Sequence, residues 1–425
     1  MRCNLRTIAV GLLMSIFVCS ARASPSKYRW RKASVTLSVS SSISNSSNIS
    51  FGSDVSGAID RSIASWQQVA AVSLRRVSTT EQNVSAAGSQ GDGISLITIA
   101  GSQENAALFP LGIEDATART RIFYDVKGFI TEADIVLNPL VQFSTDGTPG
   151  TYDLESTLTH EIGHLLGLSH SAVIGATMSD GYGKNGVYSL PSFSARTLAA
   201  DDVSSIRSIY GAADNGDECC GRIAGRLNFS LSRIRGFEVW AEDSESGRVI
   251  ASAPVQSDGS FKLGGLPPGK MRLYLQSDVD LHSSASELGD VTVTTKQPVI
   301  FNKRVERSST NLRFDYLGFN GQFPGMAVPV NSGSTYFLIA GTSDLNSDSV
   351  TVESTSDLIS VHSRPVMGTY SKALKTFGFD AAISPDAPAG EYSIALRSST
   401  GERRFLIGAL TVEKFPNFWS IATLR

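Results

Sequence analysis

Apolar residues follow two periods along this chain. Ser34 to Val39 alternates polar and apolar positions, as a strand with one buried face does, and the Ser/Asn-rich stretch 40–50 reads as a loop. Val55, Ile59, Ile63 and Trp66 recur at helical spacing behind Ser53 or Asp54. They predict a capped helix ending near Ala70, with Trp66 in the core. Val72–Val77 and Ile94–Ile99 read as strands, the second almost wholly apolar and therefore central. Arg121–Tyr124 and Gly128–Asn138 are predicted strands joined by the turn Asp125-Val126-Lys127-Gly128. From Gly101 to Ala118 no period emerges. A helix starting at Thr151 or Asp153 buries Leu154, Leu158, Ile162, Leu165 and Leu166, and a last helix turns Val203, Ile206 and Ile209 inward. Beyond residue 220 the pattern changes to short alternating strands. Arg222–Leu227, Phe237–Ala241, Ser257–Leu263 and Met271–Leu275 are separated by Asp-Gly and Pro-Gly turns, and Thr335–Ala340, Ser349–Glu353 and Tyr392–Leu396 follow. The fold class expected is multidomain, an α/β (α+β) unit followed by two all-β sandwiches.

The length of 425 residues fits two to four domains, and the formal net charge of −3 argues against a nucleic-acid surface. Arg2 and Arg6, the apolar run Ile8–Val18 and the small-x-small Ala21-Arg22-Ala23 predict a signal peptide over residues 1–23 and a secreted, extracellular protein. Val18 before Cys19 is a poor fit to lipid attachment. No later apolar run is long enough for a transmembrane segment. Of the 4 cysteines, Cys219 and Cys220 follow the predicted cleavage point, which is no disulfide scaffold. A vicinal disulfide, free thiols and an intermolecular bridge all fit such a pair. A sharper hypothesis makes one of its thiolates a latch on a metal.

The chemistry concentrates in His160-Glu161-Ile162-Gly163-His164-Leu165-Leu166-Gly167-Leu168-Ser169-His170. One helical turn separates His160 from His164, so both imidazoles reach one metal ion with Glu161 beside them. Gly167 is suited to stop the helix in a left-handed conformation, which lets the reversing chain bring His170 back as a third ligand. Three protein nitrogens leave a fourth position for water, the mark of a catalytic zinc. The chain has only 5 His, and chance placement of three in this pattern is on the order of one in 10^5. His282, outside the motif, reads as a surface residue.

With Met178 following in Ala176-Thr177-Met178, the stretch resembles the metzincin zinc metallopeptidases. HEIGHLLGLSHS and the later Leu198–Gly211 are similar to the matrixin family. The resemblance implies a catalytic domain with a mixed sheet and an active-site helix. His160, His164 and His170 would hold one catalytic Zn²⁺, Glu161 would be the general base and Met178 the Met-turn floor. It also implies protein or peptide substrates paired along a sheet-edge strand, placed at Ile130–Leu137, and a tying role for Asp201 and Asp202, for which charge compensation at a helix N-terminus is the simpler reading. Three departures matter. No His precedes residue 160, so the family's second, structural zinc is expected to be absent. Ser179-Asp180 follows Met178 where an aromatic and a proline are usual, and no cysteine of the mature chain lies upstream. Calcium ligands are not assignable from any pattern.

Residues 24–212 are thus the expected matrixin-like domain, 213–220 a linker, 221–306 a carboxypeptidase-regulatory-like (transthyretin-like) sandwich, 307–318 a linker, 319–415 an Ig-like sandwich and 416–425 a tail. Such sandwiches bind surfaces, glycans or proteins, or act as spacers. The function expected is a secreted zinc endopeptidase. The alternative is a surface-binding, adhesive protein with a vestigial peptidase domain.

Overall fold

A computed structural model describes residues 28–413, apart from 113–115, 182, 191–192, 214–218, 230–235, 280–282, 307–308, 344–349 and 372–373. The expected signal peptide, Cys19, His282 and the C-terminal tail lie outside the described residues.

The first half contains β1 (Arg29–Trp30), β2 (Ser34–Ser40), α1 (Ser41–Ser44), α2 (Val55–Gln67), β3 (Ser73–Thr79), β4 (Ser95–Thr98), α3 (Gln103–Ala106), β5 (Ala118–Tyr124), β6 (Phe129–Leu137), β7 (Phe143–Ser144), β8 (Tyr152–Asp153), α4 (Leu154–Leu165) and α5 (Ala200–Tyr210). The main sheet runs β1-β6-β4-β2-β3, with β5 also on β6. It is parallel except for the antiparallel β5. The stretch expected to be loop after Ser40 contains α1, whose one turn buries Ile43.

The strand expected at the edge is not there. β6 lies between β4 and β5, and nearly all its side chains are buried. The outer strand is β5. An apolar strand covered on both faces belongs inside a sheet, whereas β5 has intermediate exposure along its middle.

α2 and α4 pack together over the core formed by Leu37, Ile97, Ile135, Leu158 and Ile162. Polar contacts fix their register: Trp66 Nε1 donates to Thr159 O at 2.8 Å, and Ser62 Oγ donates to Glu155 O at 3.0 Å. Asp153 caps α4 by accepting from Ser156 N at 2.8 Å, and Arg196 grips the same carboxylate at 2.6 Å.

The second half is all β. Strands β9 to β15 are Gly221–Phe229, Phe237–Asp243, Val249–Pro254, Ser260–Leu266, Gly269–Ser277, Ser286–Val293 and Val299–Val305. They form sheets ordered β11-β10-β13-β14 and β12-β9-β15 around a core including Ile223, Val239, Leu263 and Leu273. Strands β16 to β23 are Tyr316–Gly318, Val328–Val330, Thr335–Thr342, Val350–Ser354, Ile359–Ser371, Leu374–Ile383, Gly390–Ser398 and Arg403–Val412. They form β16-β18-β21-β20 and β17-β23-β22-β19 around Leu338, Phe379, Ile394 and Leu410. β16 lies inside the stretch expected to be linker, because Leu312, Phe314 and Leu317 are apolar and join that core.

A separate cluster joins the two halves. Val173, Ala176 and Ala199 share one buried cluster with Trp240, Val249 and Tyr274 and with Ala395, Phe405 and Ile407. Trp240 and Tyr274 stack with ring centroids 5.2 Å apart.

Candidate metal centre

α4 carries His160, Glu161 and His164 on adjoining faces, and the chain must reverse at once to deliver His170. Gly167 makes the reversal: φ is +95°, its N–H donates to His164 O at 2.8 Å and Leu168 N donates to Gly163 O at 2.9 Å. A Cβ there would also lie 2.3 Å from Tyr28 O, so glycine is required on two counts. Tyr210 Oη donates to Leu166 O at 2.7 Å and Trp30 Nε1 to Leu165 O at 2.8 Å, which satisfies carbonyls at the helix end.

The three imidazoles converge. His160 and His164 have Nε2 atoms 2.9 Å apart, and ligand atoms of all three histidines lie within 4.8 Å of one another. His160 Nδ1 is 2.7 Å from Thr177 O, and His164 Nδ1 is 2.8 Å from Leu168 O. A carbonyl only accepts, so each Nδ1 carries the hydrogen and each neutral ring turns an Nε2 lone pair toward the other. Burial, then the neighbouring imidazoles, depresses His160 well below its usual value; burial also lowers His164 and brings His170 to about 4. A proton is therefore a poor bridge between these lone pairs, and a cation fits. Three neutral nitrogens with both α4 ring orientations fixed by carbonyls suit zinc.

Glu161 is buried next to this cluster, and burial raises its carboxyl to about 7. Thr120 on β5 donates to Glu161 Oε2 at 2.6 Å. Met178 is buried below: its Sδ would lie 2.3 Å from a Cβ on Gly163, so the thioether fills the space left by that glycine. Residues 29–211 match the family model described as Matrixin. They are a matrixin domain.

Relatives of this matrixin domain include Metalloendoproteinase 1 of Glycine max, 34% identical over 24% of this chain and 28% of that protein. Metalloendoproteinase 1-MMP of Arabidopsis thaliana is 28% identical over 44% of this chain and 45% of its own length. Interstitial collagenase of Oryctolagus cuniculus is 26% identical over 45% of this chain and 35% of its own length. The chain spans less than half the length of each of these curated relatives.

Asp201 and Asp202 tie the matrixin domain together. Asp202 accepts from Thr177 N, Met178 N and Ala199 N at 2.8 to 3.0 Å. Asp201 accepts from Ser171 Oγ and, across to the all-β half, from Ser252 N. Cys219 and Cys220 are bonded to each other, and the three-histidine cluster is built without them. Thr120 lies one residue before the strand expected at Arg121–Tyr124, inside the observed Ala118–Tyr124. Its signal was the alternation that puts Thr120 and Ile122 on the same face of β5.

Proposed function

We propose that the chain is a secreted zinc-dependent endopeptidase that hydrolyses peptide bonds in proteins, with His160, His164 and His170 holding one Zn²⁺. The observation that carries this reading is the convergence of three neutral imidazole nitrogens beside a buried carboxyl group. The ion, when bound, would acidify a water and polarise a scissile carbonyl.

The chain's own residues do the rest. Thr120 holds Glu161 Oε2, so Oε1 is the oxygen left to take the proton of the attacking water as general base. The same carboxyl then hands that proton to the leaving amine. A carboxyl raised to about 7 by burial suits both steps, because its two protonation states lie close in energy near neutral pH. Thr177 O and Leu168 O keep the two α4 imidazoles in the tautomer that offers Nε2. β5, as the outer strand, offers its backbone to an extended peptide. Export is supported by residues 1–23 of the sequence, and no helix among the described residues is long and apolar enough to cross a membrane.

The test is metal analysis with casein hydrolysis. Wild type should contain about one zinc per chain and lose hydrolysis to a chelator, regaining it with added zinc. E161Q should retain the zinc and lose at least about 10^3-fold in kcat. A metal-free wild type without hydrolysis would leave the adhesive alternative standing.

A further inference from the structure

We infer that Met326, supplied by the all-β half, walls the pocket that receives a substrate side chain flanking the scissile bond, and so sets the size accepted there. The inference rests on the peptidase reading. A cavity of about 40 Å³ lies against the first turn of α4, lined there by Asp153, Ser156 and Thr157 and opposite by Thr177 and Met326. Thr177 is common to the cavity and the metal centre, since its carbonyl accepts from His160 Nδ1. Thr157 stands one turn before His160 and Glu161 on the same helix, so the cavity adjoins the reacting groups.

The wall opposite α4 is held from outside the matrixin domain. A Cβ on Gly183 would lie 1.9 Å from Met326 Sδ, and one on Gly181 would lie 3.1 Å from Gly325 O. Gly181 and Gly183 are thus laid directly on residues 325–326. Farther along the chain, Tyr188 is buried in the all-β core and its hydroxyl donates to Met326 O at 3.2 Å. Ile174 N and Gly175 N donate to Ile407 O and Gly408 O at 2.8 and 3.1 Å. With that wall anchored at Ile174, Gly175 and Tyr188, Met326 is the longest side chain that the all-β half brings to the cavity among the described residues.

Chemistry narrows the side chain. Among the described residues lining the cavity Asp153 is the one that is charged, and Arg196 already pairs with it at 2.6 Å. At about 10–15 Å³ per water-sized group, the space takes about three such groups. An uncharged side chain up to the size of valine or threonine fits.

The experiment compares full-length wild type with M326A and M326F on a proteome-derived peptide library, reading every cleavage site by mass spectrometry and zinc content in parallel. Wild type should favour alanine, serine, threonine or valine at one residue flanking the cut. M326A should raise kcat/KM for leucine relative to alanine at that position by at least about tenfold, and M326F should lower it. A merely structural role would depress all peptides alike and leave the ratio unchanged, which would overturn the inference. Should M326A not fold, M326V reads the same ratio. Absence of chelator-sensitive cleavage in wild type would instead sink the peptidase reading.

Discussion

The Thr120 hydroxyl and the burial of Glu161 act on the same carboxyl in opposite directions. Desolvation favours the neutral acid and raises it to about 7, while the hydroxyl at 2.6 Å favours the carboxylate. A hydrogen bond to a charged group is worth roughly 1.5–3 kcal/mol, or about 10- to 150-fold in an equilibrium. T120V keeps the shape and removes the donor. It should lower kcat by about tenfold or more at neutral pH with zinc content unchanged, and T120S should recover most of that loss. Wild-type kcat in T120V would show that the bond only packs β5 against α4. His160, Glu161 and His164 were legible in the sequence because helical spacing decides which side chains stand together, and His170 because Gly167 marks the stop that turns the chain back. Thr120 was not, since it lies 41 residues from Glu161 and meets it only through tertiary packing. The carbonyls of Thr177 and Leu168 were equally hidden, because a backbone acceptor carries no residue identity.

α4 is held closely by its neighbours. Gly163 faces α2 and the Met178 segment: an added Cβ would lie 2.8 Å from the Trp66 ring and 2.3 Å from Met178 Sδ. Alanine is the better helix former by about 1 kcal/mol, but overpacking a filled core costs about 1–3 kcal/mol. The Met178 thioether can swing away. Trp66 cannot, because its Nε1 is tied to Thr159 O. G163A should therefore destabilise by about 1–2 kcal/mol, seen as a lower denaturant midpoint with unchanged slope. A rise in midpoint would mean that helix propensity prevails. The stripe of α4 and the alternation of β2 were readable because apolar residues recur at each element's own period, even though α4 is buried on nearly every side. The edge position that the family resemblance implies for β6 differs from its interior place, which its apolar run Ile135-Val136-Leu137 favours just as the apolar run of β4 favours a central one. Strand order depends on long-range pairing, which local pattern does not encode.

Across the whole molecule, the matrixin domain and the all-β half meet through acids as well as through Trp240 and its neighbours. Glu391 on β22 is buried where Gly175 and Gly408 come together, with Asp201 and Asp202 close enough to disfavour its charge. Burial first, then those carboxylates, raises it to about 8 from an ordinary 4.5, while Arg248 pulls the other way. Asp202 and Glu242 are each raised to about 7, again chiefly by burial. Between pH 4.5 and 8 the unfolded chain has released the Glu391 proton and the folded chain keeps it. The folded state then binds more protons, so stability falls as pH rises through that window and levels off above it. None of this was visible in sequence, where Glu391 only precedes the predicted strand Tyr392–Leu396, far from the motif; only the docking of the two halves strands it among other acids. The melting temperature of the full chain should therefore drop between about pH 6.5 and pH 8, above the range in which the depressed histidines act in the opposite sense. E391Q, neutral at every pH and nearly the same shape, should flatten that drop and melt higher than wild type at pH 8. Parallel melting curves for the two proteins across the range would mean that Glu391 is solvated in solution and the halves do not stay docked around it.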